Sequence, residues 1–352
     1  MACVVRRAAL AREGEDGVRR LAPARRRGGG CASRLPLRAA VAGDASAPSH
    51  GHGGLVVVLG AGGRTGWLVC CAAATCGVRV RACTRDGTLP IASSAHPAVG
   101  ELITATKADV TRRDEVARAI EGATACVFAA TAGAAGDATA VDAVAAGAAA
   151  RACVAAGVNR FVLISGAGVT EPASQAYRFL NLFGRRMDSK VSGEEGVRAA
   201  YASAPDNVCY TVIRPSGLVD GARKGVGALT VRQGDGAAGR VSRADVADLI
   251  AGLCESDLAD ASGGEMLVTD ASFEVYDTGS GVSTKALTVG DILSDEALAN
   301  SAVLRLLGAA PQSPERFAEE GGERGSRSGC TSYVALLSGL ASDLELRAGQ
   351  RK

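Results

Sequence analysis

From about residue 54 onward, short apolar runs alternate with longer segments of helical spacing. The runs at 55–59, 78–84, 124–130, 160–165 and 209–214 are five to seven residues long, and a weaker one lies at 102–105. Between them, 64–76, 113–121, 139–156, 186–201 and 243–254 have the length and spacing of helices. Apolar runs of this length fit strands buried on both faces, although 78–84 alternates Val, Arg and small residues, and their alternation with helices predicts repeated βαβ units. The expected fold class is α/β: a doubly wound parallel sheet with helices on both faces, plus a C-terminal helical extension. A run at 265–269 is expected to add an edge strand. Past residue 276 the alternation stops. Residues 288–307 have helical spacing, 311–328 read as a polar loop or linker, and 333–346 fit one more amphipathic helix. The sequence leaves open whether this tail docks on the domain.

Three segments follow: a leader at 1–53, a domain at 54–275 and an extension at 276–352. The leader is rich in Arg, poor in acids and without an apolar h-region, which fits an organellar transit peptide rather than a secretory signal. The expected destination is the chloroplast, with the mitochondrion as the alternative and a disordered basic tail as the plain reading. Ten Arg against four acids put the first 50 residues at +6, so the total of +2 leaves −4 for the rest. A mildly acidic body argues against a nucleic-acid partner, and 3% aromatic residues argue against a base-stacking platform. Eleven Cys without a CxxC pair and only three His give no zinc-site pattern, so no metal is expected. Cys70, Cys71, Cys83, Cys126, Cys153 and Cys209 sit in apolar runs and read as small core residues. No apolar stretch of about 20 residues predicts an integral membrane span.

The first apolar run leads into Gly60-Ala-Gly62-Gly63-Arg64-Thr65-Gly66 and then a helix. In such a turn Gly60 permits the tight bend, Gly63 lets backbone approach a pyrophosphate, and Gly66 allows close helix–strand contact. Free N–H groups and the positive dipole end of the helix favour the phosphates. Placed after the first strand of the series, this predicts a Rossmann-type dinucleotide site. The second strand ends Thr84-Arg85-Asp86. An acid here holds the ribose 2′-OH of NAD, whereas Arg accommodates the 2′-phosphate of NADP. Arg85, with Arg64, makes NADP the expected cofactor, although Asp86 follows at once.

These features fall in order with Ala108-Asp109-Val110-Thr111, Gly157-Val-Asn-Arg160-Phe-Val-Leu-Ile-Ser165, Tyr210-Thr-Val-Ile-Arg214-Pro215-Ser216-Gly217-Leu and Val241-Ser-Arg243-Ala-Asp245-Val246-Ala. Across about 54–275 the chain resembles the atypical short-chain dehydrogenase/reductase superfamily, in its NmrA-like, NAD(P)-binding branch with many plant and algal chloroplast members. The resemblance implies that Asp109 and Val110 contact adenine and that Ala129, Ala130 and Thr131 border the cofactor. It also implies that Pro215, Ser216 and Gly217 lie near the nicotinamide. Ser242 additionally reads as an N-cap, with Asp245 at the third helical position.

Reductases of that superfamily pair a Tyr with a Lys four residues later and use a Ser to polarise the substrate carbonyl. Lys190 falls on the expected helix and is followed by Glu194, but the position four before it is Arg186. The serine position aligns with Gly166, so Ser165 fits only with a slip of one residue. Tyr177 lies thirteen residues before Lys190, about 20 Å away if the helix were continuous. Lys190 and Ser165 are the catalytic candidates, with Lys190 also a ribose ligand. Loss of the Ser and Tyr positions favours an NADP(H)-binding redox sensor, regulatory or assembly factor working through a protein partner; the alternative is an NADP-dependent oxidoreductase of a small metabolite that lacks the usual Tyr. A structural α/β domain without a ligand is the third. His96 reads as a surface residue.

Overall fold

A computed structural model describes residues 54–89, 101–133, 136–182, 184–205, 207–234, 237–255 and 270–278, with short pieces at 282–283, 327–328, 333–337, 340 and 342–343. The expected strand at 265–269, the helix at 288–307, the leader and His96 lie outside them. The first half of the domain follows the predicted alternation, in the order β1 (Leu55–Leu59), α1 (Arg64–Thr75), β2 (Arg79–Thr84), β3 (Ile103–Lys107), α2 (Arg113–Ala119) and β4 (Ala125–Phe128). A π-helical segment, Thr139–Ala145, then runs directly into α3 (Ala146–Ala156), followed by β5 (Arg160–Ile164), α4 (Gln175–Asn181), α5 (Arg186–Tyr201) and β6 (Cys209–Pro215). Next come β7 (Gly217–Val219), β8 (Leu229–Arg232), β9 (Ala237–Ala238), β10 (Arg240–Ser242), α6 (Arg243–Cys254), β11 (Ala271–Asp277) and β12 (Val282–Ser283). The last described elements are β13 (Arg327–Ser328) and α7 (Tyr333–Leu337).

The main sheet has the order β13-β8-β11-β6-β5-β4-β1-β2-β3. The seven strands from β3 to β11 run parallel; β8 pairs antiparallel with β11, and β13 pairs antiparallel with β8. This is the doubly wound Rossmann-like α/β arrangement, with its crevice where β1 lies between β2 and β4. Val56 and Val58 face a core shared with α1 and α6, whereas Val57 and Leu59 face Phe128, Phe161 and the α3 side. A strand buried on both faces explains why the first run is apolar at every position.

Helix α3 with its π-helical lead is long and apolar enough to cross a membrane by length and composition. In this fold it covers the sheet, burying Ala145, Ala146, Ala149, Ala150 and Cys153. The six cysteines expected in the core are all buried and free.

The parallel strand beside β6 is β11, Ala-Ser-Phe-Glu-Val-Tyr-Asp, and the sequence did not point to it. Phe273 and Val275 enter the core, but Ser272 and Glu274 are buried too, so no simple alternation shows. Their burial is satisfied by charge. Arg232 on β8 pairs with Glu274, and Ser272 binds Asp343 through both its backbone N–H and its hydroxyl.

The described parts of the C-terminal segment dock on the sheet. β13 pairs with β8, and Leu336 and Leu337 are fully buried. Asp343 accepts from Arg198 at 2.8 Å and from the Tyr210 hydroxyl at 2.9 Å. Arg198 also binds Glu194, which is held in two bonds by Arg214 of β6. Burial pushes the Glu194 carboxyl up, but Arg214 and Arg198 outweigh it and hold it below the usual range. The glutamate four residues after Lys190 is therefore part of the framework.

Removing one partner of a buried charge network leaves the other uncompensated, which costs about 3 kcal/mol. Asp343→Ala is expected to destabilise the full chain by about that much in urea unfolding. A midpoint unchanged from wild type would show that the C-terminal segment does not pin the domain.

Candidate functional site

The C-terminal ends of the parallel strands meet along one edge, and the glycine turn sits at the switch point. The N–H groups of Gly60 and Ala61 both donate to the Cys83 carbonyl, and that of Ala129 donates to Leu59. The turn is thereby tied to the ends of β2 and β4. Gly60 has φ +91°, and a Cβ there would lie 2.6 Å from the Ala130 nitrogen. A Cβ on Gly66 would collide with the Gly60 carbonyl oxygen. These two glycines are demanded by the chain itself.

Gly63 is different. Its φ is −78°, and a Cβ would come no closer than 3.4 Å to the Gly60 oxygen. Gly62 and Gly63 are both exposed, and Gly62 faces Thr84 with room for a Cβ at 3.5 Å. The chain gives no internal reason for glycine at 63, whereas an approaching phosphate does. Helix α1 begins at this point with no side-chain cap and no acid in its first turn, so its amides and positive end face the same opening. An open glycine cradle at an uncapped helix start fits a dinucleotide pyrophosphate.

At the end of β2, Arg85 is exposed, with no hydrogen bond or ion pair among the described residues. Asp86 is occupied by its own loop, accepting from the Thr84 hydroxyl at 3.2 Å and the Thr88 N–H at 3.0 Å. Those bonds, led by the Thr88 N–H, hold its carboxyl below the usual range. Asp109 accepts from the Thr111 N–H and hydroxyl, which keep it ionised at lower pH, with Arg85 adding to the effect. Arg85 thus stands between the turn and Asp109, and the neighbouring acid is committed elsewhere. Val110 is buried beside Asp109.

The loop after β4 carries Ala129, Ala130 and Thr131, and a residue that sequence reasoning missed holds it in place. Asp142 lies on the π-helical segment and is 6% exposed. It accepts from the Thr131 hydroxyl at 2.8 Å, the Ala132 N–H at 3.0 Å and Lys190 Nζ at 2.9 Å. A Cβ on Gly193 would collide with the Asp142 carbonyl oxygen, so glycine on α5 is what lets the helices approach closely enough for Lys190 to reach Asp142. The available signal was an acid inside an Ala-rich apolar helix, where burial without a partner is unfavourable.

Lys190 and Ser165 line one small cleft together with Phe128, Ala130 and Asp142. The Ser165 N–H donates to the Ile213 carbonyl, and its buried Oγ lies by the Glu194 carboxylate, which it helps to keep ionised. The buried Oγ of Ser216, beyond Pro215, has no hydrogen-bond partner. Pro215 is buried at the end of β6 and accepts from the Ala167 N–H, while Gly217 is exposed and donates to the Gly239 carbonyl. An unpartnered buried hydroxyl at this edge of the sheet is a cost that a bound ligand would relieve.

Tyr177 does not join them. It sits on α4 with its hydroxyl bonded to Asp188, and burial together with that carboxylate pushes its pKa up to about 12. Arg186 reaches the Gly133 carbonyl at 2.7 Å, bracing the loop after β4 from the position four before Lys190. Ser242 does cap α6, accepting from the Ala244 N–H at 3.2 Å. Asp245 instead receives the N–H groups of Lys224 and Gly225 and anchors the loop after β7. Among the described residues no group of three His, Cys, Asp or Glu is placed to hold a metal ion.

The two kinds of glycine separate in a stability test. Gly60→Ala is expected to lower the thermal midpoint strongly, because it adds both a clash and a strained φ. Gly63→Ala is expected to stay within about 1 kcal/mol of wild type, the usual range for a changed N-cap. Equal melting of the two variants would contradict the assignment of Gly63 to a ligand.

Residues 60–257 match the family described as NAD(P)H-binding. No curated protein matches the chain. Among solved structures, the chain is similar to a putative NAD-dependent epimerase/dehydratase from Bacillus halodurans, with 20% identity and a TM-score of 0.48 over 66% of this chain and 96% of that one. It is also similar to a short-chain dehydrogenase/reductase from Veillonella parvula in complex with NADP, with 16% identity and a TM-score of 0.48 over 64% and 96%. A third is ChuY, an anaerobillin reductase from Escherichia coli O157:H7, with 20% identity and a TM-score of 0.47 over 64% and 98%.

Proposed function

The chain belongs to the NAD(P)H-binding family, and from that premise we propose that it is an NADP(H)-dependent oxidoreductase of the NmrA-like short-chain dehydrogenase/reductase kind, acting on a small oxygen-bearing metabolite in the plastid. The observation that carries the catalytic half is the placement of the buried Ser165 hydroxyl in the same cleft as Lys190. The Arg-rich, acid-poor residues 1–53 support an organellar destination, and the resemblance to a branch with many chloroplast members points to the plastid.

The bound cofactor supplies the hydride chemistry. Gly62, Gly63 and the first amides of α1 would hold its pyrophosphate, and Arg85 the 2′-phosphate. Asp109 and Val110 would flank the adenine, Ala129 to Thr131 the middle of the cofactor, and Pro215 to Gly217 the nicotinamide end. Ser165 Oγ donates a hydrogen bond to the substrate oxygen. Lys190, positioned by Asp142, brings positive charge beside it and anchors the ribose. Without a tyrosine in reach, solvent or the substrate supplies the proton.

A second reading rests on the same residues. Tyr177 is tied to Asp188 and Arg186 stands where a tyrosine is expected. Both favour an NADP(H)-responsive regulatory or assembly factor that acts through a protein partner.

The test is a fluorescence titration of the full chain with NADPH and NADH, followed by absorbance assays of NADPH oxidation against a panel of carbonyl metabolites. NADPH is expected to bind more tightly, and Arg85→Ala to cost about tenfold for NADPH and little for NADH, the scale of one charge-assisted contact. Ser165→Ala is expected to abolish oxidation while leaving binding intact. Binding without oxidation of any substrate would favour the second reading, and equal affinities would remove the NADP assignment.

A further inference from the structure

Arg64 opens α1 inside the glycine turn, yet its guanidinium is already engaged. Its Nη1 lies 2.8 Å from Oδ2 of Asp220, a residue 156 positions away that directly follows β7. The other carboxylate oxygen, Oδ1, accepts from Arg243 Nη1 at 2.8 Å. The two arginines differ in freedom. The side chains of Arg64 and Asp220 are 54% and 64% exposed, whereas that of Arg243, at the start of α6, is 6% exposed. A carboxylate is therefore held from the nicotinamide-side loop on a buried arginine and presented to the cation of the phosphate turn.

We propose that Asp220 is an internal stand-in for dinucleotide phosphate, occupying Arg64 until the ligand displaces it. This rests on the dinucleotide reading of the turn. Helix α1 offers an uncapped N-terminus with no acid of its own, so an anion from elsewhere is favoured beside it. Asp220 brings a carboxylate to the side chain of Arg64, the first residue of that helix. Partial burial pushes its carboxyl up, but the bonds and charges of Arg64 and Arg243 outweigh this and keep it ionised below the usual range. When a phosphate arrives, Arg64 is the side that turns away. It is solvated and sits on a flexible stem, whereas Asp220 keeps its bond to the buried Arg243. The clasp then sets affinity by competition and guards the turn against weakly bound anions.

Exposed ion pairs are weak, so the competition is limited to about a two- to fivefold effect on affinity. Asp220→Asn keeps an oxygen for Arg243 and removes the charge offered to Arg64. In full-length protein whose melting midpoint matches wild type, it is expected to bind both NADPH and inorganic pyrophosphate about two- to fivefold more tightly. The gain is expected to vanish in an Arg64→Ala background, a substitution at an exposed side chain. Unchanged or weaker binding by Asp220→Asn would overturn the proposal, as would an equal gain with and without Arg64. Pyrophosphate separates this from the cofactor reading. Tighter pyrophosphate binding by Asp220→Asn with no NADPH binding by any variant would sustain the clasp and sink NADP(H) as the ligand.

Discussion

The contact between Gly60 and Ala130 is the constraint on which the site depends. With φ at +91° and no Cβ, the end of β1 presses its backbone against the loop after β4. The chain then turns sharply, gives both its Gly60 and Ala61 N–H groups to the end of β2, and starts α1 at the sheet edge. The phosphate end of the site is positioned from this point: the turn itself, Arg85 on one side, and Ala129 to Thr131 on the other. A side chain at residue 60 would separate two strand ends that the sheet register holds adjacent.

A second constraint runs along α5. Lys190, Glu194 and Arg198 are spaced four apart, so they share one face of the helix. Each meets a charge from a different part of the fold: Asp142 before α3, Arg214 on β6 and Asp343 in the C-terminal segment. The ladder fixes α5 between the loop after β4 and the end of β6, where Ser165 and Pro215 lie. The distant C-terminal residue Asp343 is thereby coupled to the helix that carries Lys190. A buried ion pair is weak evidence for added stability, but removing either partner is costly, and that enforces one geometry.

The sequence carried the parallel core well, because β1, β4, β5 and β6 are largely apolar runs buried on both faces. The phosphate turn was legible for the same reason: glycine spacing after a buried strand has a backbone meaning. What was not legible depends on partners distant in the chain. Asp142 is one acid in an Ala-rich helix, and only the fold shows that Thr131, Ala132 and Lys190 converge on it. β11 was hidden because Glu274 and Ser272 are buried against Arg232 and Asp343, so its polar positions read as surface. The link from Arg64 to Asp220 spans most of the domain and has no local signature. The serine position shows the same limit in another form. Sequence spacing left Ser165 one residue out of alignment, whereas its place in one cleft with Lys190 is a spatial fact.

The open glycine cradle at the start of α1 is the place proposed for the dinucleotide phosphates. Amide hydrogen exchange of the full chain, with and without saturating NADPH, tests this directly. Protection is predicted to rise at residues 62–66 and around Arg85, and to remain unchanged on the buried strands β5 and β6. Protection confined to other parts of the domain, or none at the turn at saturation, would contradict it.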